Sequence, residues 1–315
     1  MWPLILTTVG VILVLWMIRR WAQVWAAGGV CQSKAKLDEK MVIITGANTG
    51  IGKETAIDLA KRNARVILAC RSQEKGKKAE VDVRRESGNN DVHFRQLDLS
   101  SFTSIRKFAK EVLEEESRVD ILINNAAVAV CPYMKTEDGF ETQFGVNHLG
   151  HFLLTNLLLD KIKQAPEGRI VNVSSIAHTW CGPLDLDTIN SEEKYSTLDA
   201  YNKSKLANVL FTKQLAKRLE GTNVTTNCLH PGGVDTELQR HSTILLIMKF
   251  LFGWMAFKTA KQGAQTSIHL AVSEDVKEIS GEYFSDCKLT ATSKHALDEE
   301  AAKNLWKRSE EWTKL

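Results

Sequence analysis

The sequence has little of what metal centres, disulfide frameworks and nucleic-acid surfaces require. Its six cysteines are scattered along the chain without a Cys-x-x-Cys pair, which argues against a zinc site and a disulfide framework and favours a reducing compartment. The 41 basic and 38 acidic side chains are spread over the whole chain and leave a net charge of +3. Because phosphate backbones require dense basic patches, we expect no nucleic-acid partner.

An apolar run at the N-terminus is the first feature that the sequence does contain. Residues 2–18 carry no charge, and tryptophans lie around the end of the run. About 17 to 20 helical residues span a bilayer core and tryptophan prefers the interface, so residues 1–25 predict a membrane-anchor helix. A cleaved signal peptide, the alternative, would carry basic residues before the apolar stretch. Here they follow it, at Arg19, Arg20, Lys34 and Lys36, which places the following domain in the cytosol.

From Lys40 onward, short β-branched apolar runs alternate with amphipathic stretches, a pattern typical of α/β proteins. It predicts one domain at residues 38–315, built as a single doubly wound, Rossmann-type parallel sheet with helices on both faces. The predicted strands are Met41–Thr45, Arg65–Cys70, Val92–Leu97, Ile121–Asn124, Arg169–Val173, Val224–Leu229 and Glu282–Phe284. The predicted helices lie near Gly52–Lys61, Ser72–Glu86, Ser101–Glu115, Gly139–Lys163, Asp199–Glu220 and Thr259–Ala271. Two stretches interrupt the alternation and are candidate lids, Cys181–Thr197 and the apolar Thr243–Phe257.

A glycine-rich turn follows the first predicted strand and opens the first helix. Glycines let a pyrophosphate approach the backbone closely, and a helix N-terminus offers unpaired N–H groups with partial positive charge. The turn therefore predicts a dinucleotide site, against the alternative of a tight turn that binds nothing. Its residues are Gly46, Ala47, Asn48, Thr49, Gly50, Ile51 and Gly52.

The end of the second predicted strand lacks the acidic residue that usually meets an unphosphorylated ribose. The chain reads Cys70-Arg71-Ser72 at this point. Arg71 can clamp a ribose phosphate through its planar guanidinium, so the sequence favours NADP(H) over NAD(H). A solvated surface arginine is the alternative.

Tyr201 and Lys205 are four residues apart in a stretch with a helical pattern, so they share one helix face. A phenol titrates at about pH 10, and an adjacent ammonium would lower its pKa towards neutral pH. The pair therefore predicts an acid/base site, with an exposed helix pair as the alternative.

Further motifs surround this pair in a fixed order: Asn124-Asn125-Ala126, Asn147, Ser174-Ser175 and Pro231-Gly232. Together with the glycine turn they resemble the short-chain dehydrogenase/reductase family, over the stretch from Lys40 to Cys287. Within that family the chain is most similar to the membrane-anchored retinol dehydrogenases. The strings that carry this similarity are Thr45–Thr55, Gly145–Phe152, Tyr201–Asn208 and Tyr283–Cys287.

The resemblance implies a role for each motif residue in a catalytic domain. Tyr201 would be the acid/base, Lys205 both the pKa-lowering cation and a ribose ligand, and Ser175 the hydrogen-bond partner of the substrate's reacting oxygen. Asn147 would support a water that connects Lys205 with bulk proton exchange. Ala127 stands where relatives usually have glycine, and its methyl group is expected to affect cofactor affinity. The other implied cofactor contacts are Asp98, Leu99, Asn125, Ala126, Ala127, Pro231, Gly232, Val234 and Thr236.

The resemblance also implies a substrate and a location. The reaction would interconvert a lipophilic primary alcohol and its aldehyde, retinol and retinal, with NADP(H) at the endoplasmic reticulum membrane. Thr243–Phe257 would form an apolar flap at the membrane interface, with a buried helix or a dimer contact as the alternative. Medium-chain aldehydes, sterols and a catalytically silent NADP(H)-binding scaffold at a lipid surface stay open as alternatives. No metal is expected, and self-association as a homo-oligomer is left open.

Overall fold

The structure, a computed structural model, describes residues 27–234 and 257–315 and four isolated positions near the N-terminus. Its strands are β1 (Met41–Thr45), β2 (Arg65–Cys70), β3 (Val92–Gln96), β4 (Ile121–Asn124), β5 (Gly168–Val173), β6 (Val224–His230), β7 (Tyr283–Ser285) and β8 (Lys288–Leu289). They form a sheet in the order β3-β2-β1-β4-β5-β6-β7-β8. All neighbours are parallel except β7 and β8. The predicted doubly wound sheet is confirmed.

Helices cover both faces of this sheet. Side chains alternate between the two faces along each strand, so each strand packs against both helix layers. In β1, Val42 and Ile44 join one buried cluster, whereas Met41 and Ile43 join the cluster on the opposite face. Strands that are buried on both faces read as continuous apolar runs, which is the pattern that the sequence shows. The helices are α1 (Gly50–Lys61), α2 (Gln73–Ser87), α3 (Phe102–Glu115), α4 (Thr142–Phe144), α5 (Gly150–Lys163), α6 (Thr197–Arg218), α7 (Ala260–Gly263), α8 (Gln265–Val272) and α9 (Glu299–Thr313).

The starts of three helices follow from capping side chains. Ser72, Ser101 and Asp298 each accept a hydrogen bond from the backbone N–H three residues further on. Such a residue satisfies an otherwise unpaired donor but lies outside the helix. For this reason α2 and α3 begin one residue later than predicted.

The single helix predicted near Gly139–Lys163 is confirmed from Thr142 onward, but it contains a π-helical turn that was not predicted. The described chain has the short α4, then a π-helical turn at Gly145–Leu149, and only then α5. Close packing requires glycine at both ends of the π turn. A Cβ on Gly145 would lie 2.5 Å from the Thr136 side chain, and one on Gly150 would lie 2.6 Å from the Leu99 carbonyl oxygen. The turn carries Asn147, one of the predicted catalytic residues.

Two elements at the C-terminal end were not predicted. The two-residue β8 is too short to give a periodic signal. Helix α9 packs against α6 through Trp306, whose ring stacks on Phe211 at 5.8 Å and meets Phe152 edge-on at 5.0 Å. It closes the sheet face that carries α5 and α6.

The membrane predictions fall largely outside this description. Within the described residues, no helix has the length and apolar character needed to cross a bilayer. Of the predicted anchor, residues 1–25, only Val14, Trp16, Met17 and Arg20 are described, and of the predicted flap only Phe257.

Candidate active site

The predicted motifs meet at the carboxyl edge of the sheet. Four neighbouring parallel strands, β1, β4, β5 and β6, end there. The glycine turn follows β1, Asn125 follows β4, Ser174 and Ser175 follow β5, and Pro231 follows β6. The strand order reverses between β1 and β4, which is where open α/β sheets bind ligands.

The glycine turn has the backbone that a phosphate group needs. Gly46 and Gly50 have φ angles of +66° and +58°, which favour glycine. Asn125 fixes the start of the turn, because its side-chain amide donates to the Thr45 carbonyl oxygen at 2.8 Å. A Cβ on Gly52 would lie 2.5 Å from the Asn125 amide nitrogen, so a larger residue does not fit.

The N-terminus of α1 lies in this turn and receives no capping hydrogen bond from the Thr49 side chain. The N–H groups of Ala47 and Asn48 hydrogen-bond instead to the buried Cys70 thiol. The uncapped start of α1 is therefore the part of the turn that can face an anion. These features fit the pyrophosphate of a dinucleotide.

Arg71 follows β2 and is exposed. Among the described residues, no side chain pairs with its guanidinium, and its carbonyl oxygen accepts from the Gln96 amide at 3.3 Å. A cation that is not engaged within the protein can meet a phosphate from outside. Its position at the carboxyl end of the second strand fits the predicted contact with a ribose phosphate.

Ser175, Tyr201 and Lys205 come together. The Ser175 side chain lies beside the Tyr201 phenol and lowers its pKa. The Lys205 ammonium nitrogen lies 5.7 Å from the centre of the Tyr201 ring and donates to the Val173 carbonyl oxygen at 3.0 Å. Ser175 also accepts from the Ala177 N–H at 3.2 Å, so it caps a turn and faces the tyrosine at once.

The pKa values of the pair differ from the expectation. Burial raises the pKa of Tyr201 to about 12, and the Ser175 side chain opposes the rise. Burial lowers the pKa of Lys205 to about 7. Desolvation penalises the charged form of each group, and the ammonium points to a backbone carbonyl rather than to the phenol oxygen. The phenol is therefore protonated at neutral pH and can act as a proton donor.

Asn147 is fully buried in the π turn and fixes the segment after β4. Its side chain accepts from the Val128 N–H and donates to the Val128 carbonyl, both at 2.9 Å. It also donates to the Ser204 hydroxyl at 2.9 Å, one residue before Lys205. The Asn147 carbonyl oxygen accepts from His151 Nδ1 at 3.0 Å. The structure thus connects Asn147 with the catalytic helix through Ser204.

The other predicted cofactor contacts lie around the same edge. Leu99 is buried, and Asp98 accepts from the Ser100 N–H and hydroxyl at 2.9 and 2.7 Å. Ala127 has no positive φ, so it occupies the position of the usual glycine without left-handed backbone strain. Ala126, Pro231 and Gly232 are partly buried and Val234 is buried, while Thr236 lies outside the described residues.

Sequence reasoning missed two buried groups beside these loops. His151 contacts Thr45 as well as Asn147, and Lys258 forms an ion pair with Asp286 beneath Gly232. Asp286 and His151 occur in strings that carried the resemblance, but no spacing rule indicates their contacts.

The chain belongs to the short chain dehydrogenase family, whose model matches residues 40–244. It is accordingly an oxidoreductase of a nicotinamide-dependent family, and its relatives are retinol dehydrogenases. Retinol dehydrogenase 12 of Homo sapiens is 53% identical over 292 residues, which cover 93% of this chain and 92% of that protein. Retinol dehydrogenase 13 of Homo sapiens is 53% identical over 291 residues, which cover 90% and 88%. The crystal structure of an uncharacterized protein from Mycobacterium Paratuberculosis matches with a TM-score of 0.74 and 35% identity, covering 91% of this chain and 98% of that chain.

Proposed function

We propose that this protein is an NADP(H)-dependent oxidoreductase that interconverts retinol and retinal, or a similar lipophilic primary alcohol and its aldehyde. The observation that carries the proposal is the placement of Ser175, Tyr201 and the buried Lys205 side by side, at the edge where the glycine turn opens. Tyr201 is the acid/base, and Ser175 binds the reacting oxygen of the substrate.

The protein's own part in the reaction is the handling of one proton. The nicotinamide, when bound, supplies hydride to the carbonyl carbon or removes it from the alcohol. As the carbonyl oxygen gains negative charge, the Tyr201 hydroxyl donates its proton and the Ser175 hydroxyl donates a hydrogen bond. Lys205 stabilises the phenolate that remains, because a nearby cation favours the charged form.

Because the Tyr201 phenol keeps its proton at neutral pH, it is already in the donor form that aldehyde reduction requires. Alcohol oxidation needs the phenolate as a base, and with a pKa of about 12 little phenolate is present at pH 7. A larger share of Lys205 is protonated below its pKa of about 7, so its charge changes within the physiological pH range.

The choice of NADP(H) rests on Arg71. Its guanidinium is exposed at the end of β2, where no acidic residue stands to meet a ribose 2′-hydroxyl. A bidentate contact with a 2′-phosphate would favour NADP(H), and an acidic residue at this position would repel it. We propose that the rest of the cofactor contacts the glycine turn, Asn125–Ala127 and Pro231–Thr236.

The substrate and the membrane rest on the relatives and on the apolar sequence. Two human relatives carry the name retinol dehydrogenase. Residues 1–25 are proposed to anchor residues 38–315, the catalytic domain, to the endoplasmic reticulum membrane on its cytosolic side. The apolar Thr243–Phe257 is proposed as a flap that admits a substrate dissolved in the bilayer.

The test uses the full-length chain in detergent with NADPH and retinal, and measures retinol by chromatography. We expect retinol formation, with Tyr201→Phe slower by about 10²- to 10⁴-fold at unchanged NADPH affinity. Tyr133→Phe is the matched control, because within the described residues the Tyr133 hydroxyl bonds only to the Asn190 carbonyl oxygen, at 2.9 Å. NADPH binding without turnover of retinal, sterol ketones or medium-chain aldehydes would support the scaffold instead. More efficient use of NADH than of NADPH would overturn the coenzyme assignment.

A further inference from the structure

The segment that precedes β1 extends from the carboxyl edge of the sheet to its amino edge. We call residues 28–40 the strap. At the amino edge of the sheet, Leu37 is buried and its N–H donates to the Arg62 carbonyl at 2.7 Å. Further along, Arg62 donates to the carbonyl oxygens of Ser33 and Ala35 at 3.0 and 2.9 Å. The Cys31 N–H donates to the Gln265 side chain at 3.1 Å. The strap is therefore held along its length.

The N-terminal end of the strap lies at the carboxyl edge of the sheet, where the active-site loops are. A Cβ on Gly28 would lie 2.1 Å from the Asp286 carboxylate, and one on Gly29 would lie 1.9 Å from the Asp286 carbonyl oxygen. Asp286 follows β7, which runs parallel to β6. The chain that precedes Gly28, with its apolar run, thus leaves the domain at the edge that carries Ser175 and Pro231 rather than at the opposite edge.

Five of the ten exposed large apolar side chains among the described residues from 27 to 315 lie in segments at this same edge. We call Val30, Ile176, Trp180, Leu198 and Leu289 the rim. Trp180 is 68% exposed, Leu289 59%, Leu198 57% and Val30 54%.

Four of the five rim residues lie in segments that adjoin the site, and Val30 lies in the strap. Ile176 and Trp180 lie in the turn after Ser175, and Leu198 is one helical turn before Tyr201. Leu289 pairs with Phe284 at the end of β7. Isolated exposed apolar residues need no explanation, but several around one site entrance mark a contact surface.

We infer that the rim is a lipid-contacting surface that holds the active-site entrance against the bilayer. The occupant is a membrane because the strap begins at this edge, because the apolar run of residues 2–18 ends only ten positions before it in the sequence, and because Trp180 is suited to the interface. Lys288, which is exposed next to Leu289 in β8, complements anionic headgroups. The inference rests on the proposed function, since it gives the route by which a bilayer-dissolved substrate reaches Tyr201.

Fluorescence quenching in vesicles tests the contact. The full-length protein is reconstituted into phosphatidylcholine and phosphatidylserine vesicles that contain lipids brominated near the headgroup. We expect Trp180→Phe to lose a quenchable part of the tryptophan emission. Trp306→Phe is the control, because Trp306 is buried on the inner face of α9 against Phe211, and its loss should leave the quenched intensity unchanged. Equal quenching of the wild type and Trp180→Phe would overturn the inference.

Turnover on the same vesicles gives a second, independent measurement. Leu289→Asp should lower kcat/KM for vesicle-borne retinal by roughly tenfold, because a carboxylate placed against lipid loses its hydration and weakens the contact. NADPH affinity should be unchanged. Val81→Asp, on the exposed face of α2, should have no effect. An unchanged kcat/KM in Leu289→Asp would contradict the inference. A wild type that reduces no retinal would refute the proposed function, whereas the quenching result would still decide whether the rim touches lipid.

Discussion

The Thr45 hydroxyl oxygen lies 2.8 Å from Nε2 of His151, in the buried layer between β1 and the π turn. The same oxygen accepts the N–H groups of Asn125 and Ala126, both at 2.9 Å. With its lone pairs used in this way, Thr45 is left to donate its proton to Nε2. His151 must then carry its own proton on Nδ1, which donates to the Asn147 carbonyl at 3.0 Å. One neutral imidazole thus joins three motifs of the site.

His151→Leu should therefore weaken both the fold and the cofactor site. It leaves the Thr45 hydroxyl and the Asn147 carbonyl without their partner, at a cost of about 2–3 kcal/mol in the free energy of unfolding. Because Thr45 holds Asn125 and Ala126, NADPH should also bind more weakly. Urea unfolding and NADPH titration measure the two effects. His93→Leu, at the edge strand β3, is the control for cofactor affinity, and equal affinity in both variants would contradict the assigned role.

Buried histidines predict a loss of stability in mild acid. Burial lowers the pKa of His148 to about 3 and that of His151 to about 4. Below pH 6.5 the unfolded chain takes up protons that the folded chain does not, so the free energy of unfolding falls as pH falls from about 6.5 to 4. Each histidine contributes about 1 kcal/mol per pH unit. Unfolding of wild type and His148→Leu at pH 5, 6 and 7 measures the slope. A slope in His148→Leu as steep as in the wild type would refute the claim.

Lys205 predicts how the free energy of unfolding changes on the alkaline side of the pH profile. Its pKa of about 7 lies below the value of a solvated lysine, so between pH 7 and 9 the unfolded chain binds more protons. The free energy of unfolding should rise over this range by about 1 kcal/mol per pH unit relative to Lys205→Met. The comparison stops at pH 9 because burial raises the pKa of Cys70 and Cys228 to about 12, which favours unfolding above that pH. Parallel profiles for wild type and Lys205→Met would show that the amine is not held in a dry environment.

Arg71 predicts a coenzyme-specific effect. Arg71→Gln should weaken NADPH binding by about tenfold, the value of one charge-assisted contact at an exposed position, and leave NADH binding unchanged. Arg85→Gln is a matched control, because Arg85 is an exposed arginine on the next helix that pairs with Asp82 at 2.9 Å. Titration of both coenzymes against the three proteins gives the result, and an equal loss for NADH and NADPH would mean that Arg71 does not contact the 2′-phosphate.

Sequence patterns predicted the parts of this protein that depend on local order. Buried strands and the glycine turn follow from spacing and backbone chemistry, and the order of the motifs predicted that Ser175, Tyr201 and Lys205 belong to one site. The pKa of Tyr201 could not be predicted, because it depends on burial that the fold creates. The signal for α9 was present in Asp298 and the apolar Ala302, Leu305 and Trp306, but it lies beyond the motifs. The contacts of His151 join residues over 100 positions apart, which periodicity does not reveal.

The ion pair of Lys258 and Asp286 gives the last prediction. Lys258 is 6% exposed, its N–H donates to the Gly233 carbonyl at 2.7 Å, and its side chain fills the space beside Gly232, which has a φ of +93°. Asp286→Asn removes its partner and leaves a buried ammonium, so we expect a loss of about 2 kcal/mol in the free energy of unfolding, since the carboxylate is half exposed. NADPH should bind more weakly, because the loop Pro231–Val234 rests on this lysine.

The exposed pair of Lys277 and Glu167 provides the control for that prediction. The two side chains are 48% and 39% exposed, so solvent screens the pair and Glu167→Gln should change the free energy of unfolding by less than about 1 kcal/mol. The double variant Lys258→Met with Asp286→Asn removes the unpaired charge and should recover part of the stability, while NADPH affinity stays low because the Gly232 loop has lost its support. Recovery of NADPH affinity together with stability would show that the ion pair acts on the fold alone and does not position the loop.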